Sequence, residues 1–237
     1  MKYAIIAAGE GARLAQEGVG VPKPLVKVGG EALIDRLMRI FVSLGATEVC
    51  VICRAPDVER RVTRTERRGS GGVPSIKIKV KATPSSMHSF YELSEWLDGD
   101  EPFVLTTVDT VFREAEFRHY IEVMQQELAN GVEGVMVVTP YIDDEKPLYV
   151  DVDEALTIRG FYDEQHGCRY VSGGIYGLTP KALTTLRDCV ERGESRMRNF
   201  QRALIADGVK LKAFVMDQVL DVDHQADIEK AEAFLKE

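Results

Sequence analysis

The chain has 237 residues, 45% of them hydrophobic and 29% charged, with a net charge of −8. This is a globular profile with length enough for a sizeable core, and its acidic balance argues against a phosphate backbone as the main partner. No stretch reaches the roughly 18 to 20 apolar residues of a membrane helix, and "YAIIAA" before Gly9 is too short for a signal-peptide core, so a cytoplasmic protein without nucleic-acid or membrane partners is expected.

"YAIIAA" is a short apolar run ended by glycine and predicts a buried strand. The glycine-containing stretch "AAGEGARLAQEGVGVPKPL" follows as a loop. Then Leu33, Leu37, Ile40, Phe41 and Leu44 recur at helical spacing, with Gly45 as a stop. "EVCVIC" predicts the next buried strand. Its Cys50 and Cys53 spell C-x-x-C, but positions i and i+3 of a strand face opposite ways, so both belong to core packing and not to a redox or zinc pair. Cys168 and Cys189 stand alone.

"PDVERRVTRTERR" predicts a polar helix running into the loop "GSGG"; the five arginines of this stretch read as a solvated face. "SIKIKVK" alternates with period two, a half-exposed strand. "SSMHSFYELSEWL" opens with a serine cap and predicts a helix. "PFVLTTVDT" predicts a buried strand ending at Asp109, and a helix follows over about Glu114–Asn130.

Up to "GVMVVTP" strands and helices alternate, the pattern of a mainly parallel sheet with helices on both faces. The alternation then breaks. "PLYVDVDEALTIRGFYD" and "CRYVSGGIYGL" predict three antiparallel strands, followed by two helices, the strand "VKLKAFVM", the short "VLDVD" and a closing helix. The expected fold is α/β: one doubly wound, mainly parallel mixed sheet flanked by helices, with a small antiparallel insertion, in a single domain spanning 1–237.

The glycines after the first strand admit three readings. A dinucleotide-binding turn needs G-x-G-x-x-G running into a helix, but Leu14 stands at the third glycine and the next predicted helix begins only near Glu31. A P-loop needs Gly-Lys-Ser or Gly-Lys-Thr, which is absent. The third reading is a loop wrapping a nucleoside triphosphate. Backbone N–H groups near Gly9 and Gly11 are unobstructed by side chains, Arg13 offers a phosphate-matching fork, and Pro22 and Pro24 restrain the backbone around Lys23. The bland alternative is a surface loop whose cations face water.

Gly9, Gly11, Arg13, Leu14 and Pro22 to Leu25 match in identity and spacing the pattern G-x-G-x-R-L, a gap, then P-K-P-L. The chain thereby resembles the nucleotidyltransferases that make nucleotide-sugars and related activated metabolites, a family of nucleotide-sugar pyrophosphorylases and MobA-like NTP transferases with a GT-A-like fold. The gap "AQEGVGV" lacks the proline and threonine common in sugar-1-phosphate members. The resemblance implies a nucleotide-binding part over about 1–139, including Ala7, Ala8, Gly9 and Gly11. Lys81, Ser85 and Ser86 fall at the base-reading loop, without its usual glycines. It implies an acceptor-binding part over about 140–237, with Ser172 and Gly173 along the acceptor. It also implies Mg²⁺ held by Asp109 together with Asp223 or Asp221.

The implied reaction is attack by an acceptor phosphate oxygen on the α-phosphorus of a nucleoside triphosphate, expelling pyrophosphate. A sugar phosphate is largely ionised near neutral pH, with a second pKa of about 6, so no general base is needed. Catalysis is then positioning and electrostatics: Arg13 on the leaving phosphates, Lys23 on the α-phosphate and the acceptor phosphate. The implied partners are a nucleoside triphosphate and a phosphorylated small molecule, and a homo-oligomer is left open.

Each acid has an alternative role. Asp109 could cap the following helix. Asp221 and Asp223 share strand parity and could face one site, or one could cap the last helix. The four histidines lack ligand spacing, and only His224 adjoins the acids. The acids near Tyr141 to Glu145 read as a solvated turn. A glycosyltransferase consuming a nucleotide-sugar would share the fold but would show an Asp-x-Asp motif where this chain reads "VDTVF". A non-catalytic nucleotide sensor would have lost the loop cations or the acids, and both are present.

Overall fold

The computed structural model describes residues 1–66 and 74–236. The "GSGG" loop and the last two arginines of the polar helix lie outside the described residues. The chain runs β1 (Lys2–Ala7), α1 (Ala12–Gln16), a 3₁₀ turn at Lys23–Leu25, β2 (Lys27–Val28), β3 (Glu31–Ala32), α2 (Leu33–Ser43), β4 (Glu48–Cys53), α3 (Pro56–Glu66) and β5 (Ser75–Val80). It continues through α4 (Ser86–Leu97), β6 (Phe103–Thr107), β7 (Thr110–Val111), α5 (Glu114–Ala129) and β8 (Gly134–Thr139). The remainder is β9 (Tyr149–Val152), β10 (Ile158–Tyr162), β11 (Tyr170–Leu178), α6 (Ala182–Glu191), α7 (Met197–Ala206), β12 (Leu211–Val215), β13 (Leu220–Asp221) and α8 (Gln225–Phe234).

Among the described residues, nine strands form one mixed sheet. Its parallel half is β5-β4-β1-β6, in register Ile5↔Val51 and Ile5↔Thr106. β11 runs antiparallel between β6 and β8, and β12 closes the far side parallel to β8. β9 and β10 branch from the N-terminal end of β11 as the antiparallel insertion. The doubly wound expectation therefore holds.

Two apolar layers explain why the parallel strands read as continuous hydrophobic runs. Residues of α2, α3, α5 and α8 pack on one face of the sheet, with Tyr3 stacked on Phe41 at 4.4 Å. Residues of α4, α6 and α7 cover the other, where Phe90 meets Phe200 edge-on at 5.4 Å. Cys50 belongs to the second layer and Cys53 to the first, opposite sides of one strand as the parity argument requires. Burial pushes both thiols up, Cys50 to about 12 and Cys53 to about 11, which makes them poor thiolates.

Gly177 of β11 lies where α5 crosses the sheet. A methyl group there would overlap Met124 Sδ and stand 2.6 Å from the Tyr120 hydroxyl, which itself donates to the Val135 carbonyl at 2.9 Å. Overpacking of this kind costs about 1–3 kcal/mol. Gly177→Ala is therefore expected to lower the urea midpoint of unfolding with an unchanged slope; an unchanged midpoint would show that α5 is not seated on β11.

Three local expectations change. The opening loop is not wholly irregular: α1 starts immediately after Gly11 and carries Arg13 and the buried Leu14. β6 ends at Thr107, so Asp109 lies in the turn beyond the strand. β13 covers only Leu220 and Asp221, so strand parity does not govern Asp223.

Candidate active site

The site is assembled at the C-terminal ends of β1 and β6, where open α/β sheets bind ligands. Ala7 ends β1 and Ala8 follows it, both buried. Gly9 follows with nothing within 4 Å of the place a Cβ would take. Gly11 is in the left-handed region at φ +61°, and an added Cβ would stand 3.0 Å from Lys23 Cβ. Only glycine satisfies both conditions, and so the loop closes tightly onto Lys23. Pro22 and Pro24 hold that lysine in the 3₁₀ turn, where it is 9% exposed.

The Lys23 ammonium contacts Asp109 Oδ2 and Asp223 Oδ1 together. Burial alone would lower its pKa; the two carboxylates override that and hold the ammonium well above its usual range. Arg13 approaches from α1, with Nη1 3.2 Å from Asp223 Oδ2 and Nη2 3.8 Å from Glu145 Oε2. Asp221 lies beside them on the exposed floor of the cavities, where partial desolvation and the carboxylates of Asp109 and Asp223 push it up to about 7. Two cations and three carboxylates, separated by as many as 210 residues of sequence, thus meet in one cluster.

The alternative roles of the acids fall away. Arg113 is the N-cap of α5, so Asp109 does not cap it. At the start of α8 the Asp227 carboxylate accepts from the N–H groups of Asp223 at 3.1 Å and His224 at 2.8 Å, leaving Asp221 and Asp223 to the cluster.

Two cavities meet at this cluster. One, of about 790 Å³, is lined by Ala7, Ala8, Gly9, Gly11, Ser85 and Ser86. The other, of about 220 Å³, is floored by Ser172 and Gly173 and walled by Asp143, Asp144 and Glu145. Arg13, Asp221 and Asp223 face both. Lys81 does not join them: its Nζ pairs with Glu92 Oε1 at 2.7 Å on α4, outside the lining of either cavity. Ser85 is at once the N-cap of α4, accepting from the His88 N–H at 3.4 Å, and part of the larger cavity's wall.

Several partners lay beyond sequence reasoning. The acids at Asp143 to Glu145 are a cavity wall and not merely a solvated turn, tied back by Lys230 Nζ to Asp143 at 2.8 Å and by Glu145 to Arg13. Glu17, just after α1, accepts from the Gln225 N–H at 2.6 Å and contacts His224 Nδ1 at 2.7 Å. This latch fixes the opening segment against α8; the hydrogen bond to Glu17 raises the His224 pKa, and the Gln225 N–H and His224 lower that of Glu17. Ser172 Oγ donates to Gln201 Oε1 at 3.2 Å, a buried amide on α7. Only the Lys23 prolines and the proximity of His224 to the acids signalled any of this in one dimension.

Comparison with known proteins gives the following. The family model described as the MobA-like NTP transferase domain matches residues 3–169. The bifunctional IPC transferase and DIPP synthase of Archaeoglobus fulgidus is 27% identical over 248 aligned positions, covering 98% of this chain and 43% of that protein. This chain thus spans less than half the length of that curated relative. Among solved structures, an inositol-1-phosphate CTP transferase from T. maritima superimposes with a TM-score of 0.76 at 18% identity, covering 100% of this chain and 96% of the other. A candidate glucose-1-phosphate thymidylyltransferase from Bacillus anthracis, in complex with sucrose, gives 0.83 at 18% identity with the same coverage. These two likenesses establish the fold. Among the described residues, no helix is long and apolar enough to cross a membrane.

Proposed function

This chain belongs to the family of MobA-like NTP transferase domains, and on that premise we propose that it transfers the nucleoside monophosphate of a nucleoside triphosphate to a phosphorylated sugar or polyol, releasing pyrophosphate. One observation carries the reading: Arg13, Asp221 and Asp223 stand on the wall between a glycine-lined cavity large enough for a nucleotide and a smaller polar one, with Lys23 and Asp109 on the side of the larger. A reaction that joins two phosphorylated substrates needs such a shared wall.

The larger cavity takes the triphosphate. Backbone N–H groups around Gly9 and Gly11 lie open to phosphate oxygens. Arg13, about half exposed and held by carboxylates alone, exchanges them for the β- and γ-phosphates, where its fork fits. Lys23, in the lining of the same cavity, supplies the charge for the α-phosphate and the incoming acceptor phosphate. An acceptor oxygen forms the new bond to the α-phosphorus as the bond to the β-phosphate oxygen breaks, and the electron pair leaves with pyrophosphate. No protein nucleophile is required. The smaller cavity, with its carboxylate wall and Ser172, suits a hydroxyl-rich acceptor, since carboxylates accept hydroxyl hydrogen bonds. The names of the relatives, which specify an inositol phosphate and a hexose phosphate, agree with that chemistry.

The donor set fits a divalent cation. Asp109 and Asp223 offer hard oxygen atoms converging on one point, and the Lys23 ammonium between them marks that point as a place for positive charge. Mg²⁺ typically uses one or two carboxylates plus substrate phosphates, and Asp109 and Asp223 would supply the carboxylates. Bound there, Mg²⁺ supplies charge neutralisation at the α-phosphate.

Pyrophosphate release should be measured for the four common nucleoside triphosphates against a panel of inositol, hexose-1- and choline phosphates. Release that requires both a triphosphate and a polyol or hexose phosphate is expected. Release without any acceptor, or with phosphocholine alone, would refute the assignment.

A further inference from the structure

The cluster contains an acid whose aim is set by neither Lys23 nor Arg13. Asp221 lies opposite Thr110 in the two-residue ladder of β13 against β7. The Thr110 hydroxyl, 1% exposed, donates to Asp221 Oδ1 at 3.2 Å. Its oxygen lies 2.6 Å from the Thr107 hydroxyl. Since Thr110 spends its one proton on the carboxylate, Thr107 is the donor in that second bond. Thr107 lines the larger cavity. The chain Thr107–Thr110–Asp221 therefore runs from the nucleotide side to the floor shared by both cavities.

The neighbouring strand makes room for it. Pairing of β11 with β8 shifts register between Ser172 and Tyr176. Within that irregularity Gly174 takes φ +70°, and a Cβ there would stand 3.2 Å from Thr110 Oγ1 and 3.8 Å from Thr107 Oγ1. Ser172 and Gly173, two positions earlier and next to it, floor the smaller cavity. The same bulge thus presents the acceptor floor and accommodates the hydroxyl pair.

We propose that Thr110 is a positioning residue, acting through Asp221: the Thr107–Thr110 hydroxyl pair, half-buried at Thr107 and buried at Thr110, is accommodated by Gly174 and fixes the Asp221 carboxylate at the junction of the two cavities so that it supports the cation held by Asp109 and Asp223. Asp221 is exposed on the floor of the cavities, so only a fixed partner keeps its carboxylate in one orientation, and outer partners of metal-binding acids typically change metal affinity about 10- to 100-fold when removed. The inference rests on the nucleotidyl-transfer reading but is tested separately from it.

The test compares Thr110→Val, which keeps shape and loses the hydroxyl, with Thr110→Ser, which keeps the hydroxyl. Mn²⁺ binding is read by electron paramagnetic resonance in the presence of a non-hydrolysable triphosphate analogue, alongside kcat and KM. Thr110→Val is expected to weaken Mn²⁺ binding about tenfold or more and to lower kcat, with the triphosphate KM changed less than threefold; Thr110→Ser is expected to stay within about threefold of wild type in all three. In an Asp221→Ala background, Thr110→Val should weaken Mn²⁺ binding no further, because the two residues act as one unit. Wild-type Mn²⁺ affinity in Thr110→Val, equal damage in Val and Ser, or additive losses in the double variant would each overturn the inference. Because Mn²⁺ binding needs no turnover, these outcomes stand apart from the failure of the wild-type protein to release pyrophosphate, which would sink the underlying reading.

Discussion

Asp109→Asn is expected to reduce turnover at least about a thousandfold, the scale of several kcal/mol that a metal ion contributes to a transition state of growing phosphoryl charge. The structure makes this sharper than a strand-end acid alone would. Asp109 is one of two carboxylates gripping a buried ammonium, and it is among the neighbours that push Asp221 up to about 7. Asparagine keeps an oxygen able to accept from Lys23, and Lys23 keeps Asp223, so the fold should survive with a melting temperature within a few degrees of wild type. The accompanying expectation is that excess Mg²⁺ does not restore the rate. Steady-state kinetics with calorimetric melting checks both; a variant retaining a tenth of wild-type turnover would remove Asp109 from the chemistry.

Lys23→Ala should lose both activity and stability. Loss of charge-assisted hydrogen bonds to phosphate costs about 1.5–3 kcal/mol, roughly ten- to two-hundredfold in rate or binding. The structure adds a second term. Removing the ammonium leaves Asp109, Asp221 and Asp223 facing one another. Breaking a fully buried pair costs about 3–5 kcal/mol, and the 44% exposure of Asp223 calls for a smaller figure here, about 1–2 kcal/mol. Divalent cations should then stabilise this variant more than wild type, because they neutralise the acids that the lysine no longer does. Thermal melts with and without millimolar Mg²⁺ read this directly. Equal Mg²⁺ shifts in both proteins would show that the lysine and the cation do not answer the same carboxylates.

Much of this was legible along the chain, for identifiable reasons. Lys23 stood out because prolines on both sides restrain it, and the structure shows what the restraint serves: an ammonium held between acids 86 and 200 residues away. Those separations are why the acid clasp itself was invisible; nothing local in "VPKPL" encodes Asp109 or Asp223. The parallel strands were readable because strands buried on both faces are uniformly apolar, whereas the acids at Asp143 to Glu145, exposed as expected, gave no sign that they also wall a cavity, because charge in a connection looks the same in either role. Lys81 stands outside both cavity linings for another reason. It follows the edge strand β5 on the side where α4 packs, and Glu92 captures it there. Thr110 gave no signal at all, since a threonine after a strand is ordinary until its hydroxyl is seen beneath an aspartate.

The fate of the α-phosphate tests the central claim most directly. Wild-type protein, Mg²⁺, an inositol or hexose phosphate and the matching nucleoside triphosphate are incubated in two samples, one labelled at the α- and one at the γ-phosphorus. Transfer at the shared wall predicts that the α label enters a phosphatase-resistant nucleoside diphosphate conjugate of the acceptor while the γ label appears only as pyrophosphate. Release of the γ label as orthophosphate, or its arrival on the acceptor, would place attack at the terminal phosphorus and contradict the account.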